Sequence, residues 1–233
     1  MKKVLYFSLM MMLVFCVSGC GSEKSKINSD SKLVAAKKTM IENLNNYSYD
    51  VKMTAKTGYV DVTANMSCTD DRKNQIGHCS MSTYGVETEE YFDYKNMVVY
   101  SKMTTAFGGD SSNGKWISAK YNGGNTNTWL NLNDYVFNIA EESKDGGTYY
   151  TGTIDSKKLA AAMSEMNSDV DTSNIVSDDI NIRVFVNSSN YIEKMTFTIE
   201  IMGIEEMVEI NYKEFNTSDD IVIPSEAIKS QSW

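Results

Sequence analysis

Histidine is nearly absent from this sequence. His78 stands alone, so neither a histidine-built metal site nor a histidine-based relay has the residues it needs. The motifs G-x-S-x-G, H-E-x-x-H and paired C-x-x-C do not occur, so no activated nucleophile or catalytic metal is signalled and neither enzyme activity nor a cofactor is expected. Basic residues are also short, with 22 Lys and Arg against 31 Asp and Glu and a formal net charge of −9. Nucleic-acid binding needs cations in excess to neutralise phosphate, so that class of partner is excluded, as is a polybasic membrane patch. Proline occurs once, which with frequent Asn, Ser and Thr suits a strand-rich extracytoplasmic chain. A run long enough to span a bilayer is missing near the start, because Val4 to Val17 offers 14 apolar-rich positions where a helix needs about 20.

That run follows Met1-Lys2-Lys3 and has the form of a signal peptide. A peptidase cutting beside a cysteine needs small residues before it. Phe15 before Cys16 is too large, whereas Ser18 and Gly19 before Cys20 fit. Val17-Ser18-Gly19-Cys20 resembles the lipobox of bacterial lipoproteins, whose cysteine is diacylated on sulfur and becomes the first mature residue. The expected organisation is a signal peptide over 1–19, the lipidated Cys20 with a flexible tether over 20–30, and a single domain over 31–233. The tether spans at most about 35 Å. Its diacylglyceryl-cysteine makes the membrane a partner, on the extracytoplasmic face of the cell membrane. Without Lys2 and Lys3 the mature chain has 20 basic residues, and its balance falls to −11.

Within the mature chain, Leu33, Ala36, Met40, Ile41 and Leu44 have helical spacing and predict a helix over Ser31 to Asn46. The period then changes to two. Tyr47, Tyr49, Val51, Met53 and Ala55 alternate with polar residues, as do Val60, Val62, Ala64, Met66 and Cys68 after them. A hairpin centred between Lys73 and Asn74 sets Cys68 opposite Cys79 and Met66 opposite Met81, on the apolar face. An exported chain with that register favours a Cys68–Cys79 disulfide, with two free buried thiols as the alternative. A metal site is the poorest reading of these residues.

Further strands are expected in VETEEYFDY, NMVVYSKM, GKWISAKY, DINIRVFVN, YIEKMTFTIEI and EEMVEINYKEF, with a turn at Ser188 to Asn190. A weak helical pattern covers Leu130 to Glu142, and a clear one covers Asp155 to Asn167. Phe107 to Gly114 is glycine-rich but lacks the Lys-Ser/Thr ending of a phosphate loop. Asn167 to Asp178 approaches a calcium loop, yet Thr172 replaces the needed Gly and Asp178 the bidentate Glu. No helical crossover alternates with the strands, so the sheet is expected to be antiparallel.

Asn187 to Phe197 and Tyr212 to Ala227, ending on Ile221-Val222-Ile223-Pro224, together with the leading helix and the run of strands, resemble the LolA/LppX-type lipoprotein fold and related clostridial lipoproteins. The resemblance covers Ser31 to about Lys229. It implies an α+β fold, a curved antiparallel sheet forming an incomplete β-barrel, with two or three helices packed on its concave side over an apolar cavity. Met53, Met66, Met81, Met97 and Met195 are the candidates to line it, because methionine adapts to varied chains; the plain alternative is a filled core. His78 points away from Cys79 on a strand, so a Cys-His pair is not expected. Glu89-Glu90, Glu141-Glu142 and Glu205-Glu206 are adjacent on strands and diverge. Two functions remain: a carrier of a lipid or other amphiphile, and a non-catalytic envelope module that binds a protein partner or has a structural role.

Overall fold

The computed structural model describes residues 32–56, 58, 60–106, 113–120, 136–144, 146–156, 180–201 and 204–232. In chain order the elements are α1 (Lys32–Asn43), β1 (Asn46–Lys56), β2 (Asp61–Asp71), β3 (Ile76–Thr83), β4 (Val86–Asp93), β5 (Val98–Thr105), β6 (Trp116–Lys120), β7 (Val136–Lys144), β8 (Gly147–Ile154), β9 (Ile180–Asn187), β10 (Ile192–Ile201), β11 (Ile204–Lys213), α2 (Ser225–Ile228) and β12 (Gln231–Ser232). Cys20, most of the helix expected over 155–167, the calcium-like loop over 167–178 and most of the glycine-rich stretch over 107–114 lie outside the described residues.

Two compact units share the chain, one of residues 43–121, 193–196 and 204–233, the other of 1–42, 122–192 and 197–203. In the first, the strands follow the order β12-β6-β5-β4-β3-β2-β1-β11. The β1–β11, β1–β2, β2–β3, β3–β4, β4–β5 and β5–β6 pairs are antiparallel, whereas β12 runs parallel to β6. Period two dictates two faces here. On β1, Tyr47, Tyr49, Val51, Met53 and Ala55 are buried while Lys52 and Lys56 are exposed. Hairpin β2–β3 sets Cys68 opposite Cys79 and Met66 opposite Met81, the register that centring it on Lys73 and Asn74 requires.

The same turn closes β2–β3 and β4–β5. Asp71 accepts hydrogen bonds from the backbone and side-chain nitrogens of Asn74, at 3.0 and 2.6 Å. Asp93 does the same for Asn96, at 2.9 and 2.7 Å. The residue after each asparagine, Gln75 or Met97, then takes a positive φ.

In the second unit, β7, β8 and β9 pair antiparallel. Ile180, Ile182, Val184 and Val186 are buried along β9, and Tyr150 and Ile154 along β8. The weakly helical reading of Leu130 to Glu142 is corrected from Val136 onward, where the chain is strand β7. Its register shifts between Phe137 and Ala140. An inserted residue breaks the two-residue period and leaves apolar positions three apart, which imitates a helix.

Helix α1 buries Leu33, Ala36 and Met40, one face of a 3.6-residue repeat. It ends three residues short of the sequence expectation. Asn216 Nδ2 donates to the Asn43 carbonyl at 3.1 Å, and Asn45 N donates to Asn216 Oδ1 at 2.6 Å, so one side chain terminates the helix and admits the strand. Helix α2 is a single turn after Pro224 that the sequence reading did not anticipate.

Candidate functional site

Cross-strand pairing in the first unit builds the apolar face row by row. Val51, Met66, Met81, Thr88 and Met103 are successive partners across β1 to β5, with Ile210 beyond Val51. Met53 pairs with Ala64 on one side and Val208 on the other. This row changes in exposure along its length. Val51 and Met66 are buried, Met81 is half-buried, and Met103 is 38 % exposed. The apolar surface is therefore filled at β1 and accessible at β5.

Met195 is buried too. Its neighbour Lys194 bonds Glu209 at 2.6 Å on the polar side, so alternation puts Met195 on the apolar side. Met97 is placed elsewhere, 42 % exposed and at positive φ in the β4–β5 turn. The structure thus sets Met53, Met66, Met81 and Met195 on one face and leaves Met97 off it.

The next rows add polar groups to that face. Cys68 and Cys79 are joined by a disulfide and flanked by Tyr49 on β1 and Glu90 on β4. Burial pushes the Glu90 carboxyl up, while the Ser101 hydroxyl donates to it at 2.9 Å. Beyond the disulfide, Asp70 is buried beside Tyr47, with Arg72 Nε 3.7 Å from its carboxylate and the guanidinium 5.1 Å over the Tyr47 ring. Desolvation raises Asp70 to about 6, against the opposing pull of Arg72. Tyr47, Tyr49 and Tyr212 cluster around it with centroids 5.7–6.4 Å apart, and burial raises all three well above the ordinary phenol value. Gly77, opposite Asp70, admits this packing, since a β-carbon there would run into the Tyr94 hydroxyl.

Glu206 lies opposite Ala55 on the same face. It is 5 % exposed, desolvation raises it to about 6, and its Oε2 has no hydrogen-bond partner among the described residues. Its neighbour Glu205 points the other way and pairs with Lys56. The two carboxylates diverge as adjacent strand residues must, but Glu206 is buried rather than solvated, which the sequence reading did not foresee.

The opposite face is polar. A groove of about 690 Å³ lies across β1 to β5, a volume within the 300–1,000 Å³ of ligand sites. Two polar rows form it, Asp50-Ser67-Ser80-Glu89-Lys102 and Lys52-Asn65-Ser82-Glu87-Thr104, each residue the cross-strand partner of the next. Asp50 accepts from Ser67 Oγ and Lys213 Nζ, both at 2.7 Å. Beside these rows stands an aromatic one. The His78 and Tyr91 rings lie 4.5 Å apart, Tyr91 and Trp116 5.7 Å apart, and Lys102 Nζ is 5.6 Å over Trp116. The Tyr91 hydroxyl donates to Glu89 at 3.1 Å, and His78 Nε2 is 3.6 Å from the same oxygen. Burial lowers the His78 pKa, with Glu89 opposing. His78 also lines a second groove of about 410 Å³ with Ser48, Thr69, Tyr91 and the segment Glu214 to Val222. The histidine and Cys79 face opposite ways.

Of the groove's lining only Met66 and Met81 are candidates from the sequence; none of its polar residues is. Its signal was the polar half of each alternating strand, which reads as an ordinary solvated face until the register places the halves side by side.

No family model matches the chain, and no curated protein does. Among solved structures it is similar to the lipoprotein LppX of Mycobacterium tuberculosis, at 12% identity, covering 82% of this chain and 96% of that one with a TM-score of 0.47. A LolA superfamily protein of Nitrosomonas europaea is similar at 10% identity, 84% and 96% coverage and a TM-score of 0.36. A DUF1329 family protein of Desulfovibrio piger follows at 9% identity, 81% and 92% coverage and a TM-score of 0.32.

Proposed function

We propose that this protein is a lipid-anchored extracytoplasmic binding protein. It holds a lipid or other amphiphile against the methionine-bearing face of its sheet, within an incomplete barrel whose helices pack on the concave side. The observation that carries this reading is the row Val51-Met66-Met81-Thr88-Met103, apolar and buried at one end and accessible at the other. Methionines at the accessible end adapt to chains of different shape, and the Glu90–Ser101 pair one row away offers hydrogen-bonding groups to a head group. The Val17-Ser18-Gly19-Cys20 motif supports a position at the membrane surface, where such a ligand is at hand.

The test is native mass spectrometry of the domain from Gly21 to Trp233 after gentle purification from an oxidising compartment. A stoichiometric acyl-chain ligand that leaves on denaturation is the expected result. A mass that stays ligand-free after incubation with membrane lipids overturns the carrier reading and leaves a non-catalytic module with a protein partner.

A further inference from the structure

The polar groove is lined mainly by the polar half of the strands, which points away from the methionine row, although Val51, Met66, Met81 and Thr88 of that row also border it. Its lining limits what it can hold. An acyl chain would strand the hydroxyls, amides and carboxylates of both rows without partners, a cost of about 1–3 kcal/mol for each buried group. An anion such as phosphate meets Asp50, Glu87 and Glu89 as well as Lys52 and Lys102, so the groove has no cationic excess to attract it. A compact cation would need a close cluster of carboxylates, and the described residues contain no group of three metal-ligating side chains.

The remaining chemistry is a neutral molecule rich in hydroxyls. Donors and acceptors alternate across the rows at strand spacing, about 4.8 Å from one to the next. Asn65, Ser80 and Ser82 both donate and accept, Glu87 accepts, and Lys102 donates. The Tyr91 and Trp116 rings along the border provide flat apolar surfaces next to these groups. A pyranose ring has the matching pair of surfaces, a face of C–H groups and an edge of hydroxyls. We infer that the groove across β1 to β5 binds a neutral oligosaccharide, with its rings against Tyr91 and its hydroxyls on the Ser80, Glu87 and Lys102 rows. Such a saccharide has two sources at a cell surface, a wall glycan or the head group of a glycolipid.

The full-length protein, inserted in phosphatidylglycerol nanodiscs, is titrated with chitotriose, cellotriose and maltotriose and followed by tryptophan fluorescence and saturation-transfer NMR. Saturable binding of at least one trisaccharide below about 1 mM is expected, weakened about tenfold or more by Tyr91→Leu and by Glu87→Gln. Ile228→Ala, exposed and outside the groove, should leave it unchanged. Nanodiscs doped with diglucosyl-diacylglycerol form the second arm. Binding there but not to the free sugars assigns the groove to a glycolipid head group, and binding to the free sugars assigns it to a glycan. No binding in either arm overturns the inference, as does binding that both groove variants retain at full strength. Glu87 is exposed and its amide isostere tests the groove should the ring variant fail to fold.

Discussion

Glu206 lies in an apolar setting with its carboxyl raised to about 6 by desolvation, and Asp70 is raised to about 6 for the same first reason. A carboxyl whose folded pKa exceeds its unfolded one binds its proton more tightly when folded. It contributes stability that is complete below the unfolded value, near 4, and is lost as pH rises through 6. Asp50 works in the other direction: burial pushes it up, but hydrogen bonds from Lys213 and Ser67 outweigh that and leave it lowered. Its contribution disappears only in more acid solution, so the two windows separate. Glu206→Gln should therefore raise stability at pH 7.5 by about 1–2 kcal/mol and change it little at pH 4, read from urea midpoints. An equal shift at both pH values would refute the assignment. The disulfide predicts that the denatured, unreduced chain is two hydrogens lighter than the reduced one, and that Cys68→Ser with Cys79→Ser costs about 2 kcal/mol, since the closed loop is short. At this scale Cys68 and Cys79 could be read from the sequence because turn centre and alternation converge on them. Met97 could not, because its position depends on the positive φ that ends its turn rather than on its hydrophobicity.

The β2–β3 and β4–β5 hairpins repeat one device, Asp-x-Lys-Asn, in which the aspartate captures the asparagine three residues on. Asn74→Ala removes the side-chain hydrogen bond to Asp71 in a part-buried turn, keeps the backbone one, and should cost about 1 kcal/mol, more than Asn96→Ala at its exposed counterpart. Thermal midpoints of the two variants, compared with the parent, check that order. In the second unit, a β-carbon on Gly147 would meet the Val186 carbonyl and the Phe185 ring. Gly147→Ala should destabilise by about 1–3 kcal/mol, because backbone rather than a movable side-chain tip must give way. Strands β1 to β3 were legible since their apolar and polar residues alternate without interruption. Strand β7 was not, as its register shift destroys the period, and α2 is too short for any period to show. The groove stayed hidden for a different reason: its rows run across strands, and adjacency across strands is a property of pairing that no single segment carries.

For the molecule as a whole, the proposed membrane attachment runs through Cys20. Cys20→Ala should leave the domain folded but move it from the membrane fraction to the soluble extracytoplasmic fraction, and persistence in washed membranes would count against the lipid anchor. No described helix is long and apolar enough to cross a bilayer. The placement of β1 bears on how such a protein is made. It lies between β2, its neighbour in sequence, and β11, which arrives much later; Lys213 on β11 meets Asp50 on β1 across 163 residues of chain. Closing so large a loop is an entropic cost met before the pairing returns any energy, and topologies of this kind fold slowly. While β11 is awaited, Val51 lacks Ile210 beside it and Met53 lacks Val208, so this part of the sheet stays pliable. Its final commitment comes only when the late strand settles beside the early one, which ties the pace of folding to the arrival of the last third of the chain.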